Sequence, residues 1–293
     1  MRIDQIFSQA KAAGRAPVSF EMFPPKGELT LERAREVAGA MAELRPDFMS
    51  VTYSAGGSGN KGTTAEIAQM VSTELGVPSV AHLTCISLMR GDVPAKIDEL
   101  KSHGVENVLA LRGDVPAGEA AGPENPHPAD FRYAKDLIPS LVEAGFCVGA
   151  AAYPEGHIEC DDLALSVRHL REKQDAGASF LVTQLFFDNE LFYRFRELAS
   201  AAGITVPITA GIMPFMSKQQ VSRMVFMCGA SLPAPVIKLL ARYEDDPVSL
   251  REAGVEYACH QLADLREHGV DGLHVYTMNR PSVARACMEA ARG

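Results

Sequence analysis

PVSFEMF, residues 17–23, alternates apolar and polar side chains and carries a charged residue, Glu21, near its end. Such period-two alternation is typical of a β-strand. Seven further apolar runs follow along the chain, and most of them end in a polar or charged residue. The eight runs are Val18–Glu21, Phe48–Tyr53, Ser79–Thr84, Val108–Asp114, Cys147–Tyr153, Phe180–Gln184, Pro207–Gly211 and Gly272–Tyr276. Helical patterns separate them at intervals of about 30 residues, as in an internally repeated architecture.

The regular alternation of strand and helix predicts an α/β fold. Strand–helix units that recur eight times are typical of a parallel sheet closed into a (β/α)8 barrel, also called a TIM barrel. The interval between the seventh and eighth runs is about twice the usual repeat. It contains helical patterns over Lys218–Cys228 and Val248–His268 and a Pro-rich bend at Leu232–Pro235. We therefore expect a TIM barrel with an extra helix between strands 7 and 8.

Length and composition are those of a single globular domain. The 293 residues accommodate one barrel of about 250 residues, so we expect one catalytic domain over residues 1–293. A net charge of −9 argues against a broad surface for nucleic acid or an anionic membrane, because such surfaces need clustered lysine and arginine. A few well-placed arginines could still bind an anionic ligand.

The amino-terminal sequence and the cysteines predict a cytoplasmic protein. Residues 1–14, MRIDQIFSQAKAAG, have the apolar spacing of an amphipathic helix and lack the unbroken apolar stretch of a signal peptide. No later run reaches the length of a membrane span. The six cysteines are scattered without paired spacing, which favours reduced thiols over a disulfide framework.

Polar side chains at the strand ends predict an active site. In a TIM barrel the carboxyl ends of all strands gather around one mouth, and catalytic groups lie there. The residues at these predicted ends are Glu21, Thr52, Tyr53, His82, Arg112, Asp114, Tyr153 and Gln184. Their shared position, more than any single member, indicates an enzyme.

Glu21 is the candidate acid. Phe20 precedes it, and Met22, Phe23 and Pro24 follow it. A carboxyl group among apolar side chains loses solvation when it ionises, so this setting favours the protonated form, which could deliver a proton to a substrate. A strand-end glutamate paired with an arginine fits the spacing equally well.

The remaining strand-end residues predict a binding site for a flat, partly anionic ligand. Gly113 would let the backbone approach a ligand, and Arg112 could pair with a phosphate, although an Arg112–Asp114 pair closing a turn is the alternative. Tyr53 and Tyr153 are suited to stacking on a planar ring, and Gln184 offers both a donor and an acceptor.

Histidine spacing does not predict a metal centre. His82 and His157 both lie at predicted strand ends. The HxH motif of barrel metallohydrolases is absent from the first strand, and the residues around His157 are too close in sequence to form a zinc site alone. We expect no bound metal.

Eight motifs in order along the chain resemble those of the methylenetetrahydrofolate reductases. They are SFEMFPPK, SVTYSAGGS, AHLTC, LALRGD, AAYPEGH, DAGASFLVTQLFFDN, GIMP and HVYTMNR. The resemblance extends from about residue 17 to the end of the chain. It implies a flavoprotein oxidoreductase of one-carbon metabolism and methionine biosynthesis. Such enzymes use FAD and NADH or NADPH to reduce 5,10-methylenetetrahydrofolate to 5-methyltetrahydrofolate by a ping-pong mechanism.

The resemblance also implies roles for individual residues. Glu21 matches the family's general acid, and Asp114 matches the aspartate near the flavin and the pterin. Gln184, Gln220 and Arg280 match substrate-binding residues, and Gln184 also contacts the nicotinamide. The positions that match the cofactor-binding residues are Thr52 (beside the nicotinamide), Tyr53, Ala55, His82, Arg112, Gly113, Asp114, Ala134, Tyr153, His157, His169 and Lys173.

Some positions depart from the family pattern. Ser166 stands where many relatives have an aspartate for the ribose region, and Glu172 stands where a basic residue can reach the diphosphate. His169 replaces a frequent asparagine, and Met224 replaces a phenylalanine that stacks on substrate in some relatives. These departures leave Lys173 as the main cation of that helix, so FAD could bind less tightly, and FMN is a less favoured alternative.

Three other interpretations remain open at this stage. A flavin barrel that acts on an amino acid, as in the proline dehydrogenases, disagrees with the order of the motifs. A non-catalytic partner subunit is disfavoured because Glu21, Asp114 and Gln184 are all present. A reductase that takes its electrons from a partner subunit instead of NADH is compatible with the sequence. Relatives assemble as homo-oligomers, and the same is expected here.

Overall fold

The parallel sheet closes on itself in sequence order. The computed structural model describes residues 1–24, 31–53, 63–86, 88–113 and 130–293. The strands in these residues are β1 (Val18–Met22), β2 (Phe48–Val51), β3 (Ser79–Thr84), β4 (Asn107–Leu111), β5 (Cys147–Ala152), β6 (Phe180–Thr183), β7 (Ile208–Ile212) and β8 (Gly272–Tyr276). Each strand pairs in parallel with the next, and β8 pairs with β1. The predicted TIM barrel is confirmed.

Helices follow the strands and surround the barrel. They are α1 (Ile3–Ala12), α2 (Leu31–Ala42), α3 (Thr63–Thr73), α4 (Val93–Ser102), α5 (Ala134–Glu143), α6 (Leu163–Asp175), α7 (Asn189–Ala201), α8 (Lys218–Cys228), α9 (Ala234–Arg242), α10 (Pro247–Glu267) and α11 (Pro281–Arg292). Within the described ranges, no helix has the length and apolar character needed to cross a membrane.

The long interval between β7 and β8 holds the two predicted helices and one more. Helices α8 and α10 match the predicted patterns, and α9 lies between them. Helix α9 begins inside the stretch that we interpreted as a Pro-rich bend. Pro233 is its N-cap residue, and Pro235 lies in its first turn. Proline is compatible with a helix there because the first backbone N–H groups have no partner within the helix.

Helix α1 closes the barrel at the amino ends of the strands, here called the closed end. Its apolar side chains Ile3, Ile6 and Phe7 are buried in one cluster with inward-facing strand residues. Those strand residues are Phe48, Val80, Leu109, Cys147, Phe180 and Val182. The backbone N–H of Ile3 also donates to Asn107 Oδ1 at the start of β4 (3.0 Å). The opposite end, where the carboxyl ends of the strands meet, is the mouth.

Alternation along β1 decides which side chains enter the barrel. Phe20 and Met22 are fully buried in the large cluster between the sheet and the surrounding helices. Ser19 and Glu21 therefore point inward, since successive side chains of a strand face opposite sides. The sequence pattern thus places one hydroxyl and one carboxyl group in the interior of the barrel near the mouth.

Candidate functional site

The carboxyl group of Glu21 lies inside the mouth between two histidine rings. Its Oε2 is 3.8 Å from His82 Nε2 and 3.7 Å from His274 Nε2. The Glu21 side chain is 19% exposed, so it is mostly enclosed while still reaching the mouth. The alternative interpretation of Glu21 required an ion pair with an arginine. Among the described residues, no arginine pairs with it.

The two histidines differ in their partners. Burial lowers the pKa of His82 to about 4, although the charge of Glu21 acts in the opposite direction. His82 is therefore neutral near pH 7, and no described group hydrogen-bonds its Nε2. His274 is fixed by a 2.8 Å hydrogen bond between its Nδ1 and Ser19 Oγ.

Tyr276 forms the wall next to these histidines. Its hydroxyl donates to the Thr183 backbone oxygen (2.6 Å), and its ring meets His274 edge to face at 5.2 Å. Burial, with a smaller effect of the Glu21 charge, raises the pKa of Tyr276 well above its ordinary value. The sequence analysis missed both His274 and Tyr276. The alternation in GLHVY, residues 272–276, was the signal that could have identified them.

Gly113, two residues after the end of β4, lies tightly against the end of β3. Its φ is +88°, and a Cβ placed there would lie 2.8 Å from Thr84 Cβ. A side chain at this position would therefore be strained in its backbone and would collide with its neighbour. The positive φ and the close approach of Thr84 therefore both require glycine at position 113.

Arg112 pairs with a glutamate from another loop. Its two terminal nitrogens bind the Glu159 carboxylate at 2.6 and 2.7 Å, and this pairing lowers the pKa of Glu159. Arg112 Nε is buried and has no partner among the described residues. Asp114, the partner that the alternative interpretation named, lies outside the described residues, as does Ala55.

Lys173 brings a half-buried cation to the mouth from α6. Its Nζ donates to the Ala151 backbone oxygen (2.8 Å) and lies 5.3 Å from the centre of the Tyr153 ring. Burial, followed by the nearby charge of Arg112, lowers the pKa of Lys173 to about 8. Tyr153 also meets the His157 ring edge to face at 4.8 Å. Four of the sequence-predicted cofactor positions, Arg112, Tyr153, His157 and Lys173, are therefore close together.

The positions on α6 that depart from the family pattern have local partners or are exposed. Glu172 pairs with Lys135 of α5 at 2.6 Å, which lowers the pKa of Glu172. The Lys135 ammonium group thus balances the negative charge of Glu172. The sequence analysis did not identify Lys135. Ser166 is buried and His169 is exposed.

The remaining cofactor candidates lie on neighbouring elements. Thr52 N donates to the Met22 backbone oxygen (2.9 Å), which ties the end of β2 to β1 beside Glu21. The Tyr53 ring is half-buried, and Ala134 is the buried first residue of α5.

The two substrate-binding glutamines engage local groups. Gln184 Oε1 accepts from the next backbone N–H, that of Leu185, at 2.9 Å. Gln220 Oε1 accepts from the Met216 N–H at 2.9 Å, and its Nε2 contacts Met213 Sδ at 3.7 Å. A ligand that binds Gln220 must replace the contacts that hold this side chain against the β7–α8 loop.

Two further substrate candidates differ in their exposure. Met224 is half-buried and packs against the cluster around α8 and α9. Arg280 is exposed and is the N-cap residue of α11.

Within the described ranges, no group of three or more histidine, cysteine, aspartate or glutamate residues could hold a metal ion.

Comparison with known proteins identifies the family. Residues 6–292 match the family described as methylenetetrahydrofolate reductase. The 5,10-methylenetetrahydrofolate reductase of Pectobacterium carotovorum subsp. carotovorum is 34% identical over 280 residues, which are 95% of this chain and 91% of that protein. Methylenetetrahydrofolate reductase 1 of Schizosaccharomyces pombe is 34% identical over 92% of this chain, which spans 45% of that longer protein.

One solved structure extends the comparison to the fold. A Clostridium thermocellum protein that binds two copies of 5-methyl-5,6,7,8-tetrahydrofolic acid superimposes with a TM-score of 0.66 at 16% identity, covering 99% of this chain and 97% of that one. At this identity the match supports the barrel fold alone. The family match over nearly the whole chain, together with the relatives at 34% identity, shows that the chain belongs to the methylenetetrahydrofolate reductase family.

Proposed function

We propose that this enzyme reduces 5,10-methylenetetrahydrofolate to 5-methyltetrahydrofolate with FAD as cofactor and NADH or NADPH as electron donor, in a ping-pong sequence, and that Glu21 is the catalytic acid. The observation that carries the proposal is the setting of the Glu21 carboxyl group. It is mostly enclosed at the mouth, and its nearest titratable neighbours on β3 and β8 are His82 and His274.

Glu21 would act on the leaving nitrogen of the substrate. The closed five-membered ring of methylenetetrahydrofolate is a poor hydride acceptor. Proton transfer from Glu21 to N10 breaks the bond between N10 and the methylene carbon and leaves an iminium whose carbon accepts a hydride readily. His82 supports this role because its ring is neutral, and a neutral ring does not hold a carboxylate in its charged form as a guanidinium would.

The described residues fit a flavin dinucleotide. Arg112, whose Nε has no described partner, and the half-buried Lys173 ammonium supply cationic groups that a phosphate-bearing ligand needs, and Gly113 follows Arg112 directly in the chain. Tyr153, His157 and the exposed His169, together with Tyr53, His82 and Ala134, would complete the cofactor site. FMN is the less favoured alternative, because the motifs resemble those of FAD enzymes.

FAD, when bound, would supply hydride-transfer chemistry, taking two electrons and one proton from the reduced nicotinamide and giving them to the folate. The chain's own residues bind and orient the two substrates in turn. Thr52 and Gln184 would contact the nicotinamide, and Gln184, Gln220 and Arg280 would contact the folate. For Asp114 and Ala55, which lie outside the described residues, the assignment as pterin-orienting and flavin-binding residues rests on the resemblance of their motifs.

The cellular setting is part of the same proposal. We expect residues 1–293 to act as a single catalytic domain in the cytoplasm, in methionine biosynthesis, and as a homo-oligomer. Among the described residues, which include all six cysteines, no disulfide occurs. An electron-donating partner subunit in place of NADH is the second candidate, and the experiment below separates the two.

The decisive experiment follows the absorption spectrum of the purified protein under anaerobic conditions. NADH should bleach the flavin absorbance, and methylenetetrahydrofolate should then restore it. Glu21→Gln should retain flavin and its bleaching by NADH but lose recolouring by the folate. Glu106→Gln, the same substitution at the closed end, is the matched control and should behave as the wild type.

Each contrary result identifies a different error. Wild-type rates of recolouring in Glu21→Gln would remove Glu21 from the acid role. A wild-type protein that never binds flavin would instead favour a non-catalytic subunit. Bleaching by a reduced donor protein but not by NADH or NADPH would favour the partner-subunit alternative.

A further inference from the structure

Side chains of the β8–α11 loop extend the pairing of β1 and β8 beyond the last paired residues. The backbone register of the two strands ends at Glu21 and Tyr276. Thr277 Oγ1 then donates to the Glu21 backbone oxygen at 2.7 Å. Asn279 Nδ2 donates to the Phe23 backbone oxygen at 2.9 Å, and Asn279 Oδ1 accepts from the Phe23 N–H at 3.0 Å. Three side-chain hydrogen bonds thus connect the two segments beyond the point where backbone pairing between β1 and β8 ends.

The backbone adopts an unusual conformation where these contacts are made. Met278 and Asn279 both have a φ of +54°, a left-handed conformation that is costly for methionine and that asparagine adopts more readily than most residues other than glycine. Strained residues of this kind persist when surrounding contacts over-determine them, and they concentrate at functional sites. The two hydrogen bonds of Asn279 to Phe23 supply such contacts.

The loop joins two candidate functional residues that are far apart in sequence. Phe23 lies two residues after Glu21, and Arg280 directly follows Asn279. On the other side of β1, Thr52 N holds the Met22 backbone oxygen at 2.9 Å. The end of β1 is therefore hydrogen-bonded to residues that follow both neighbouring strands, β2 and β8. Asn279 makes the hydrogen bonds on the β8 side, and Arg280 is the next residue in the chain.

We propose that Asn279 is a positioning residue, which clamps the end of β1 and so holds the Glu21 carboxyl group and Arg280 in the relative positions that protonation of a bound folate requires. This inference rests on the proposed function of Glu21. Displacement of a catalytic group by about 1 Å can lower a rate about a hundredfold, so a clamp made of two hydrogen bonds can control the reaction without touching the substrate.

Asn107 at the closed end provides a matched comparison. Its amide makes the same kind of bridge, since Oδ1 accepts from the Ile3 N–H at 3.0 Å and Nδ2 donates to the Ser79 backbone oxygen at 3.0 Å. It lies at the opposite pole from Glu21. Loss of Asn107 should lower stability and leave the chemistry of the mouth unchanged.

The test measures the two half-reactions separately by anaerobic stopped-flow absorbance. Asn279→Ala should lower the limiting rate constant of flavin recolouring by methylenetetrahydrofolate at least about tenfold. Bleaching by NADH should stay within about twofold, because that step needs no proton from Glu21. Asn279→Gly, which removes the strain of the positive φ together with the clamp, should be as slow as Asn279→Ala, and Asn107→Ala should recolour at the wild-type rate.

The possible failures are distinguishable. If wild type and Glu21→Gln behave as proposed but Asn279→Ala recolours at the wild-type limiting rate, Asn279 is a structural residue and the inference is wrong. The same conclusion follows if Asn279→Gly is fast, or if Asn279→Ala slows both half-reactions equally. If Glu21→Gln itself recolours normally, the proposed function fails first, whatever Asn279 does.

Discussion

Oε2 of Glu21 lies 3.8 Å from Nε2 of His82, and burial lowers the pKa of that histidine to about 4. The carboxyl group therefore faces an uncharged ring near neutral pH. Neutral imidazole stabilises a carboxylate far less than a guanidinium does. This relationship separates Glu21 from a glutamate held ionised in an ion pair, and it makes the protonation state of His82 a measurable property of the site.

Acid should destabilise the protein partly through His82. The ring titrates near 6.5 when unfolded and near 4 when folded, so the unfolded state binds the extra proton between these values. The free energy of unfolding should therefore fall as the pH drops from 6.5 towards 4, by up to about 1.4 kcal/mol per pH unit for this one proton.

Urea denaturation of wild type and His82→Gln at pH 7, 6 and 5 measures this contribution. The variant should lose less stability between pH 7 and 5 than wild type does. His260→Gln, which alters a histidine with a 79% exposed side chain, should keep the wild-type dependence. Equal slopes for wild type and His82→Gln would show that His82 does not stay neutral through this range.

Alkaline pH should weaken flavin binding through Lys173. Its pKa of about 8 means that the ammonium is charged at pH 7 and mostly neutral at pH 9. The flavin dissociation constant should rise above pH 8, with a limit of about tenfold per pH unit for one proton. Fluorescence titration between pH 7 and 9.5 measures it.

Lys173→Gln is the control for that titration. The variant should bind flavin more weakly at pH 7, and its dissociation constant should depend less on pH. The pH dependence that remains in the variant measures titration of the ligand itself. A wild-type dissociation constant that follows the Lys173→Gln curve in shape would contradict a role for this ammonium.

Two glycines in helices should respond oppositely to alanine. A Cβ at Gly254 of α10 would collide with the Phe215 backbone oxygen, whereas a Cβ at Gly39 of α2 meets no atom within 4 Å. Gly254→Ala should lower the free energy of unfolding by about 1–3 kcal/mol through overpacking. Gly39→Ala should raise it by about 0.4–1 kcal/mol through reduced entropy of the unfolded chain. Urea denaturation of both variants decides, and a stabilised Gly254→Ala would mean that α10 can move away from the β7–α8 loop.

Packing of helix α1 against the closed end of the barrel should contribute strongly to the free energy of unfolding. Phe7 is 7% exposed and meets the Phe48 and Phe180 rings at 6.4 and 6.3 Å. Phe7→Ala should cost about 3–5 kcal/mol in the free energy of unfolding. Lys11→Ala, on the exposed face of the same helix, should change it by about 0.5 kcal/mol or less. Urea denaturation measures both variants. A small decrease in the free energy of unfolding for Phe7→Ala would indicate that the barrel folds without the packing of α1.

Local pattern was enough to predict the barrel. The observed limits of β3 and β8 coincide with the predicted runs at both ends, because alternation and turn residues are properties of short segments. The inward direction of Glu21 followed from the same alternation. Helix α9 was missed because prolines at its start resemble a bend when only the sequence is considered.

The partners of the site residues were decided by the tertiary structure. Arg112 binds Glu159, which is 47 residues away, and Lys135 compensates Glu172 across two helices. His274 and Tyr276 reach Glu21 because β8 pairs with β1 when the barrel closes, at a separation of 255 residues between Ser19 and His274. The residue types of one segment determine its secondary structure and which face is buried. Which charges and rings meet depends on strand register and barrel closure, and these are set by packing between segments that are distant in sequence.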